Sequence, residues 1–253
     1  MQKYGSDRNS TVSNTSSETR VRVVLLPGLA TDERMYVGVQ DALEKMPTGS
    51  IFKLVTPHLL VPNKGENMEV YALRTAKALN IQTEDVIGGC SFGAMVASAI
   101  AAQVPVKGLV LLSGALDSSA LASSGRMLNR IAPVIPFSWL QRVLASDWFL
   151  HSVFGAASPA EIKFGRDMLL DTPAQTLRRG GVLAATSRLT TPLSIPIYAL
   201  HGTDDRVLRT PEVENCKLLP DAGHGMVVSH PQEVAAFLCD SVAAIEGRHS
   251  QRR

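Results

Sequence analysis

Residues 85–95 carry the pattern that most constrains how this chain folds. The pair Val86-Ile87 leads into a Gly-x-Ser-x-Gly pentapeptide, and an Ala-rich stretch without Gly or Pro follows to residue 102. This order predicts a strand, a sharp turn with Ser91 at its apex, and a helix. The chain enters and leaves such a turn so tightly that the residues two before and two after the serine must be small, and here they are Gly89 and Gly93. The turn would present the Ser91 hydroxyl above a helix N-terminus, which favours developing negative charge.

Cys90 is a second potential nucleophile, directly beside Ser91. A turn centred on Cys90 would place Phe92 two residues after its apex, where there is no room for a large ring. Ser91 is therefore the preferred nucleophile, and Cys90 is expected to contribute packing.

The composition fits one α/β domain and argues against several kinds of partner. The chain has 253 residues, 45% of them hydrophobic, which is enough for a single large core. A formal net charge of +2, without a basic block interleaved with aromatics, predicts no nucleic-acid partner. Three widely spaced cysteines are typical of reduced cytosolic thiols. None is paired with histidine at metal-ligand spacing, so no metal is expected.

The two ends of the chain are polar. Residues 1–20 are rich in Ser, Thr and Asn and lack the apolar core of a signal peptide, so they are predicted to form a disordered tail. Residues 247–253 are basic and are predicted to fray. Apolar runs are broken within about a dozen residues, which predicts no membrane span and a cytoplasmic location.

Short apolar runs alternate with helical patterns on both sides of the pentapeptide. The predicted strands are residues 21–26, 51–55, 86–87 at the opening of the pentapeptide turn, 108–112, 195–200 and 216–219. Alternation of this kind predicts an α/β fold with a doubly wound, mostly parallel sheet and right-handed crossovers. The predicted core comprises residues 21–113 and 193–246.

Residues 114–192 differ from the rest in that they show helical spacings and no convincing strand. They contain both tryptophans and most of the phenylalanines, which predicts a helical lid inserted into the sheet domain. An aromatic lid above a nucleophile would enclose an apolar pocket. Alternatively, each aromatic only packs the insertion onto the sheet. The residues predicted to line the pocket are Leu29, Trp139, Trp148, Phe149 and Met226.

A serine hydroxyl becomes a good nucleophile when a base removes its proton and a carboxylate fixes the tautomer of that base. Ser91, Asp205 and His224 supply these groups in chain order, each in a turn after a predicted strand. Turns of this kind lie along one edge of an open parallel sheet. The three side chains are therefore predicted to converge.

With these motifs in order, residues 21–245 resemble the α/β-hydrolase superfamily. The motifs are Gly-Cys-Ser-Phe-Gly at 89–93, His-Gly-Thr-Asp-Asp-Arg-Val at 201–207 and Ala-Gly-His-Gly at 222–225. Size and a single lid are similar to small bacterial carboxylesterases, thioesterases and carbon–carbon hydrolases. The resemblance implies an oxyanion hole formed by the backbone amides of Leu29 and Phe92, although Pro27-Gly28 stands where the family usually has His-Gly.

Alternatives remain for the acid and the base. The family pattern favours Asp205 over Asp204, and Asp117 is a further candidate because some relatives carry their acid after the preceding strand. His224 lies between two glycines, which would let its ring swing toward Ser91. The remaining histidines lack such a setting: His58, His151, His201, His230 and His249.

The expected function is hydrolysis of an ester or thioester with a mainly apolar acyl group, through an acyl-enzyme and without a cofactor. The substrate would be a small molecule or a carrier-bound acyl group. An acyltransferase, a cyclising thioesterase or a carbon–carbon bond hydrolase would use the same triad. A small-ligand receptor that keeps the fold without turnover is the alternative from another class. The sequence leaves the oligomeric state open.

Overall fold

The sheet is built from the predicted strands. The computed structural model describes residues 20–121, 137–155 and 157–250, so all but the last residue of the predicted tail 1–20 lies outside it. The strands are β1 Val21–Leu26, β2 Phe52–Val55, β3 Val86–Cys90, β4 Gly108–Leu112, β5 Ile197–Gly202 and β6 Asn215–Leu219. They pair in the order β2-β1-β3-β4-β5-β6, and every pair is parallel. The prediction of a doubly wound α/β sheet is confirmed.

Helices connect the strands. In the described residues they are α1 Val37–Lys45, α2 Met68–Ala78, α3 Phe92–Ala101, α4 Phe137–Leu144, α5 Asp147–Phe154, α6 Pro159–Asp171, α7 Ala174–Thr186, α8 Met226–Ser229 and α9 Pro231–Ser250. Short 3-10 turns cover Glu33–Tyr36, Pro47–Ser50 and Ser118–Ala120. None of the helices described is both long and apolar enough to cross a bilayer.

Alternate residues of the central strands face opposite layers of helices. Val23 and Leu25 of β1 belong to the core beneath α1 and α9, whereas Val24 and Leu26 belong to the core beneath α2 and α3. A strand buried on both faces has no polar side, which is why β3, β4 and the buried part of β1 after Arg22 are continuous apolar runs in the sequence.

The last helix is longer than the sequence indicates. It begins at Pro231, where a fixed φ suits the first turn, and continues past Gly247 to Ser250. Gly247 lies on an open face and costs the helix conformational entropy without ending it. The predicted fraying of residues 247–253 stays a prediction. Residues 251–253 lie outside the described part.

Between β4 and β5 the described residues contain helices α4 to α7 and no strand of the sheet. Ser158 begins α6 with a capping box in which its hydroxyl accepts from the Glu161 amide and the Glu161 carboxylate accepts from the Ser158 amide. Isolated bridges between Leu121 and Leu208, and between Gly155 and Ala222, join this insertion to the loops after β5 and β6. The limits of the predicted lid, 114 and 192, stay a prediction.

One buried hydrogen bond fixes the end of β1. The Tyr36 hydroxyl, in a fully buried side chain, donates to the Leu26 carbonyl at 2.8 Å. Leu26 is the last residue of β1 and pairs with Gly89 of β3. The bond therefore connects the segment before α1 to the point where the sheet meets the Ser91 turn.

We expect Tyr36→Phe to lower the free energy of unfolding by about 1–3 kcal/mol, because the buried Leu26 carbonyl would lose its donor. Urea unfolding measures the difference. Tyr71→Phe is the matched control, since the Tyr71 hydroxyl donates to Leu60 at a partly buried site where water can replace it. Equal losses for the two variants would contradict the role given to Tyr36.

Candidate active site

Ser91 occupies the turn between β3 and α3 in a strained backbone conformation. Its φ of 52° and ψ of −115° lie where L-residues are rarely found. The flanking glycines make the turn possible: a Cβ on Gly89 would lie 2.5 Å from the Leu26 carbonyl oxygen, and one on Gly93 only 2.2 Å from it. Small residues are thus required at these positions because three backbone segments approach one another closely there.

The side chains of Ser91, His224 and Asp205 form a chain of hydrogen bonds. His224 Nε2 lies 2.8 Å from Ser91 Oγ, and His224 Nδ1 lies 2.7 Å from Asp205 Oδ2. An imidazole with its proton on Nδ1 donates to the carboxylate and accepts from the serine hydroxyl. The structure brings together the three residues that the sequence predicts to converge.

The Asp205 carboxylate is held as an anion. Its other oxygen, Oδ1, accepts from the Val207 and Leu208 amides at 2.8 and 3.0 Å. Burial acts to raise the pKa of Asp205, but the electrostatic interaction and hydrogen bond with His224, the hydrogen bond from the Leu208 amide and the proximity of His201 outweigh it. The pKa therefore lies below its ordinary value, and the carboxylate is ionised at neutral pH.

His201 is a polar neighbour of this chain that the sequence indicates only as a local hydrogen-bonding residue. It is buried, with Nε2 3.3 Å from the Leu208 carbonyl and 3.5 Å from Asp205 Oδ2. Burial lowers its pKa, which favours the neutral ring. A neutral ring with its proton on Nε2 donates toward both oxygens and holds the 205–208 turn.

The alternative acids have other surroundings. Asp204 is exposed in the turn after β5. Asp117 begins the short 3-10 turn at Ser118, where one oxygen accepts from the Ser119 amide at 2.7 Å and the other from the Leu189 amide at 3.0 Å. Burial acts to raise the pKa of Asp117, and these hydrogen bonds outweigh it. This is a capping role.

The other histidines lie apart from Ser91. His58 is paired with Glu33, His230 with the Ser229 hydroxyl, and His151 is exposed on α5. The side chain of His249 lies outside the described part of the chain.

The predicted oxyanion donors lie on two segments beside Ser91. A Cβ on Gly28 would be 3.6 Å from Ser91 Cβ, so the turn that contains Leu29 passes directly over the serine. Ala30, with a φ of 67°, and a Thr31 hydroxyl donating to the Gly28 carbonyl hold that turn. In the described residues neither the Leu29 nor the Phe92 amide donates a hydrogen bond to another group of the chain. Both amides are thus available to a ligand.

A cavity of about 530 Å³ opens onto Ser91 and His224. It lies between the sheet edge and the lid helices, and most of its lining is apolar. The apolar side chains include Leu29, Phe92, Met95, Leu121, Leu144, Phe149, Leu150, Val153, Phe154, Leu169, Leu177, Val182, Val207 and Leu208. Such a lining suits a substrate with a substantial hydrocarbon part.

Two of the five predicted pocket residues, Leu29 and Phe149, line this cavity. Trp139 and Trp148 do not, and their side chains are 65% and 78% exposed. Met226 is fully buried in the core beneath α1 and α9. The prediction is corrected for these three residues.

Helix geometry explains the difference. Phe149, Leu150, Val153 and Phe154 form the face of α5 that lines the cavity. Trp148 lies outside that face. On α4 the cavity takes Leu144, and five residues at 100° each place Trp139 about 140° away. The sequence signal that would have found the lining was the helical spacing of 149, 150, 153 and 154 rather than aromatic size.

The lid contacts the His224 loop directly. The Gly225 amide donates to the Val153 carbonyl at 3.1 Å, and Gly155 bridges to Ala222. A Cβ on Gly225 would lie 2.5 Å from the Phe154 ring, and one on Gly223 2.7 Å from the Phe154 backbone. The glycines on either side of His224 therefore accommodate the end of α5.

The described residues contain no group of three or more His, Cys, Asp and Glu side chains that could hold a metal ion.

The family of the chain follows from its sequence once this geometry is known. A sequence profile described as the Alpha/beta hydrolase family matches residues 23–237, which include all three hydrogen-bonded side chains. The chain belongs to the alpha/beta hydrolase family. The prediction that it is an α/β-hydrolase is thereby confirmed. No curated protein sequence matches it.

Solved structures share the fold of this α/β-hydrolase. An esterase from Thermogutta terrifontis has a TM-score of 0.71 at 20% identity, over 90% of this chain and 91% of that one. An esterase from Exiguobacterium antarcticum has a TM-score of 0.69 at 14% identity, over 90% of this chain and 92% of that one. A thioesterase of the prodiginine pathway in Streptomyces coelicolor has a TM-score of 0.61 at 16% identity, over 87% of this chain and 90% of that one. At these identities the likeness shows the fold.

We expect Asp205→Asn to lower kcat on the order of 10³-fold to 10⁴-fold, because an amide would favour the wrong tautomer of His224. Asp117→Asn should leave kcat within about twofold, since its amide oxygen can keep the Ser119 cap. It should lower the free energy of unfolding by about 1 kcal/mol, because an NH2 group cannot accept from the Leu189 amide. Ester hydrolysis and urea unfolding measure the two effects. A large loss of kcat in the Asp117 variant would make Asp117 the acid.

We expect Phe154→Leu to lower kcat about tenfold, because a smaller side chain would leave the His224 loop free to shift. Ile162→Val is the control, since Ile162 is buried in the same cluster of the lid. Saturation kinetics and thermal unfolding of both variants separate positioning from stability. An unchanged kcat in a folded Phe154 variant would show that α5 does not position His224.

Proposed function

We propose that this protein is a serine hydrolase that cleaves carboxylic esters or thioesters with a mainly apolar acyl group. The observation that carries the proposal is the continuous hydrogen-bond chain from Asp205 through His224 to Ser91, whose hydroxyl faces an apolar cavity. A binding protein would need the cavity but would not need all three groups at these distances.

In the first half-reaction His224 Nε2 takes the proton of Ser91 Oγ as the oxygen attacks the carbonyl carbon of the substrate. The proton then passes from Nε2 to the leaving alcohol or thiol as the bond to it breaks. An acyl-serine ester remains. In the second half-reaction Nε2 takes a proton from water, the hydroxide attacks the acyl carbon, and the proton returns to Ser91 as the acid leaves.

Two features stabilise the charged stages of this sequence. The Leu29 and Phe92 amides would donate to the oxyanion of each tetrahedral intermediate, and Phe92 begins α3, whose dipole favours negative charge at that end. Asp205, ionised and bound to Nδ1, stabilises the imidazolium that forms at the same time. Neither stabilising feature requires a cofactor.

The same three groups support acyl transfer when an alcohol or amine takes the place of water. The apolar cavity selects the kind of acyl group that binds, but it does not determine whether water or another molecule accepts that acyl group. Product analysis with and without added acceptor alcohols separates hydrolysis from transfer.

We expect Ser91→Ala to lower turnover of a panel of aryl esters and acyl thioesters by about 10⁴-fold or more. A fluorophosphonate probe should label the native protein at Ser91 and leave the variant unlabelled. Cys90→Ala is the control, because the Cys90 thiol is buried and its pKa is raised, chiefly by burial. Turnover that survives in a folded Ser91 variant would overturn the proposal, and an unlabelled native protein would favour a receptor.

A further inference from the structure

Three cationic side chains are among the residues that line the mainly apolar cavity. They are Lys64, on the loop between β2 and α2, and Arg178 and Arg179 on α7. The proposed chemistry at Ser91 makes no use of them. Lys64 is exposed and the two arginines are half-buried. A small number of polar groups in an otherwise apolar pocket is typical of groups that orient a ligand.

The loop and the helix that carry these cations are joined. Arg179 Nη1 donates to the Pro62 carbonyl at 2.9 Å, two residues before Lys64. Asn63, Lys64 and Gly65 line the same cavity. The side chain of Arg179 is therefore fixed beside the loop, and the cations of α7 and the loop lie on one side of the cavity.

Glu66 is the acidic residue among the described residues that line the cavity, and its charge is already balanced. Arg74 binds both of its oxygens, through Nε and Nη2, each at 2.8 Å, and the Asn63 amide donates to one of them at 2.7 Å. The hydrogen bond of Arg74 is the main reason that the pKa of Glu66 is lowered. Among the described residues that line the cavity, the three cations therefore outnumber the one acid.

The helix that carries the two arginines also contacts the turn that contains Leu29. A Cβ on Gly180, the residue after Arg179, would lie 2.5 Å from Leu29 Cδ1. Arg178, Arg179 and Leu29 all line the same cavity as Ser91. A ligand in that cavity can therefore contact both the arginines and the Leu29 turn.

We propose that Lys64, Arg178 and Arg179 form an anion subsite, and that the substrate is an ester or thioester that also carries a carboxylate or phosphate. A short apolar segment would separate that anion from the scissile carbonyl. Guanidinium groups bind the planar oxygens of such anions through paired N–H donors. The inference rests on the proposed hydrolase function and specifies its substrate class.

The test compares aryl esters of matched length. One series carries a carboxylate at the end of the acyl chain, a second carries it on the alcohol, a third carries a phosphate, and the fourth is the neutral methyl ester of the first. In the native protein we expect kcat/KM for at least one anionic series to exceed that of the neutral ester by about tenfold or more. The preferred series identifies the anion and the side of the carbonyl on which it lies.

Arg178→Gln should lower this anionic-to-neutral ratio about tenfold, chiefly through KM, and Arg178→Lys should restore part of it. Lys163→Gln is the control for charge at a distance, because Lys163 lies on α6, 72% exposed and paired with Asp167. It should leave the ratio unchanged. Thermal unfolding shows whether each variant is folded.

Calorimetry with Ser91→Ala separates this inference from the hydrolase function. If no ester is cleaved by the native protein but the anionic ester still binds more tightly than the neutral one, the subsite stands and the hydrolase proposal fails. A ratio near one in the native protein, or one that Arg178→Gln does not change, overturns the subsite.

Discussion

The close approach of three backbone segments around Ser91 is the constraint on which the rest of the structure depends. A positive φ at a residue other than glycine costs about 1–3 kcal/mol and persists only where the surroundings determine it. Here Gly89 and Gly93 lie over the Leu26 carbonyl, and the Ser91 amide donates to Leu112 of β4. The turn is therefore held by β1, β3 and β4 together, and β3 and β4 are buried along their whole length.

The parallel order of the strands then brings the other two groups to the same edge. Asp205 follows β5 and His224 follows β6, so the three residues span 133 positions of sequence and yet lie within hydrogen-bond distance. The Asp205 carboxylate is held by the Val207 and Leu208 amides and by the buried His201, independently of its contact with the imidazole of His224. This preorganisation is what electrostatic stabilisation of a charged intermediate requires.

The sheet and the hydrogen-bonded residues could be predicted from the sequence because their signals are local. Glycines two residues before and after a serine indicate a tight turn, and an aspartate directly after a buried strand indicates a residue at the sheet edge. Both patterns can be recognised from a few neighbouring residues. The pocket could not be predicted in the same way. Whether Trp148 or Phe149 faces the cavity depends on how α5 is rotated against the His224 loop, and that rotation is fixed by contacts with Gly223 and Gly225, about 70 residues away in sequence. Aromatic size alone indicated burial, and the two tryptophans are exposed.

Helices α5 and α7 contact two different segments beside Ser91, which under the proposed function would join substrate selection to catalysis. Helix α5 packs on the loop that carries His224, whereas α7 packs through Gly180 on the turn that contains Leu29. The same two helices line the cavity. Under the proposed mechanism, a side chain that changes the cavity would therefore also act on the position of His224 or of the Leu29 amide. Because positioning errors of about 1 Å lower rates strongly, selectivity in this protein would then depend on kcat as well as on KM.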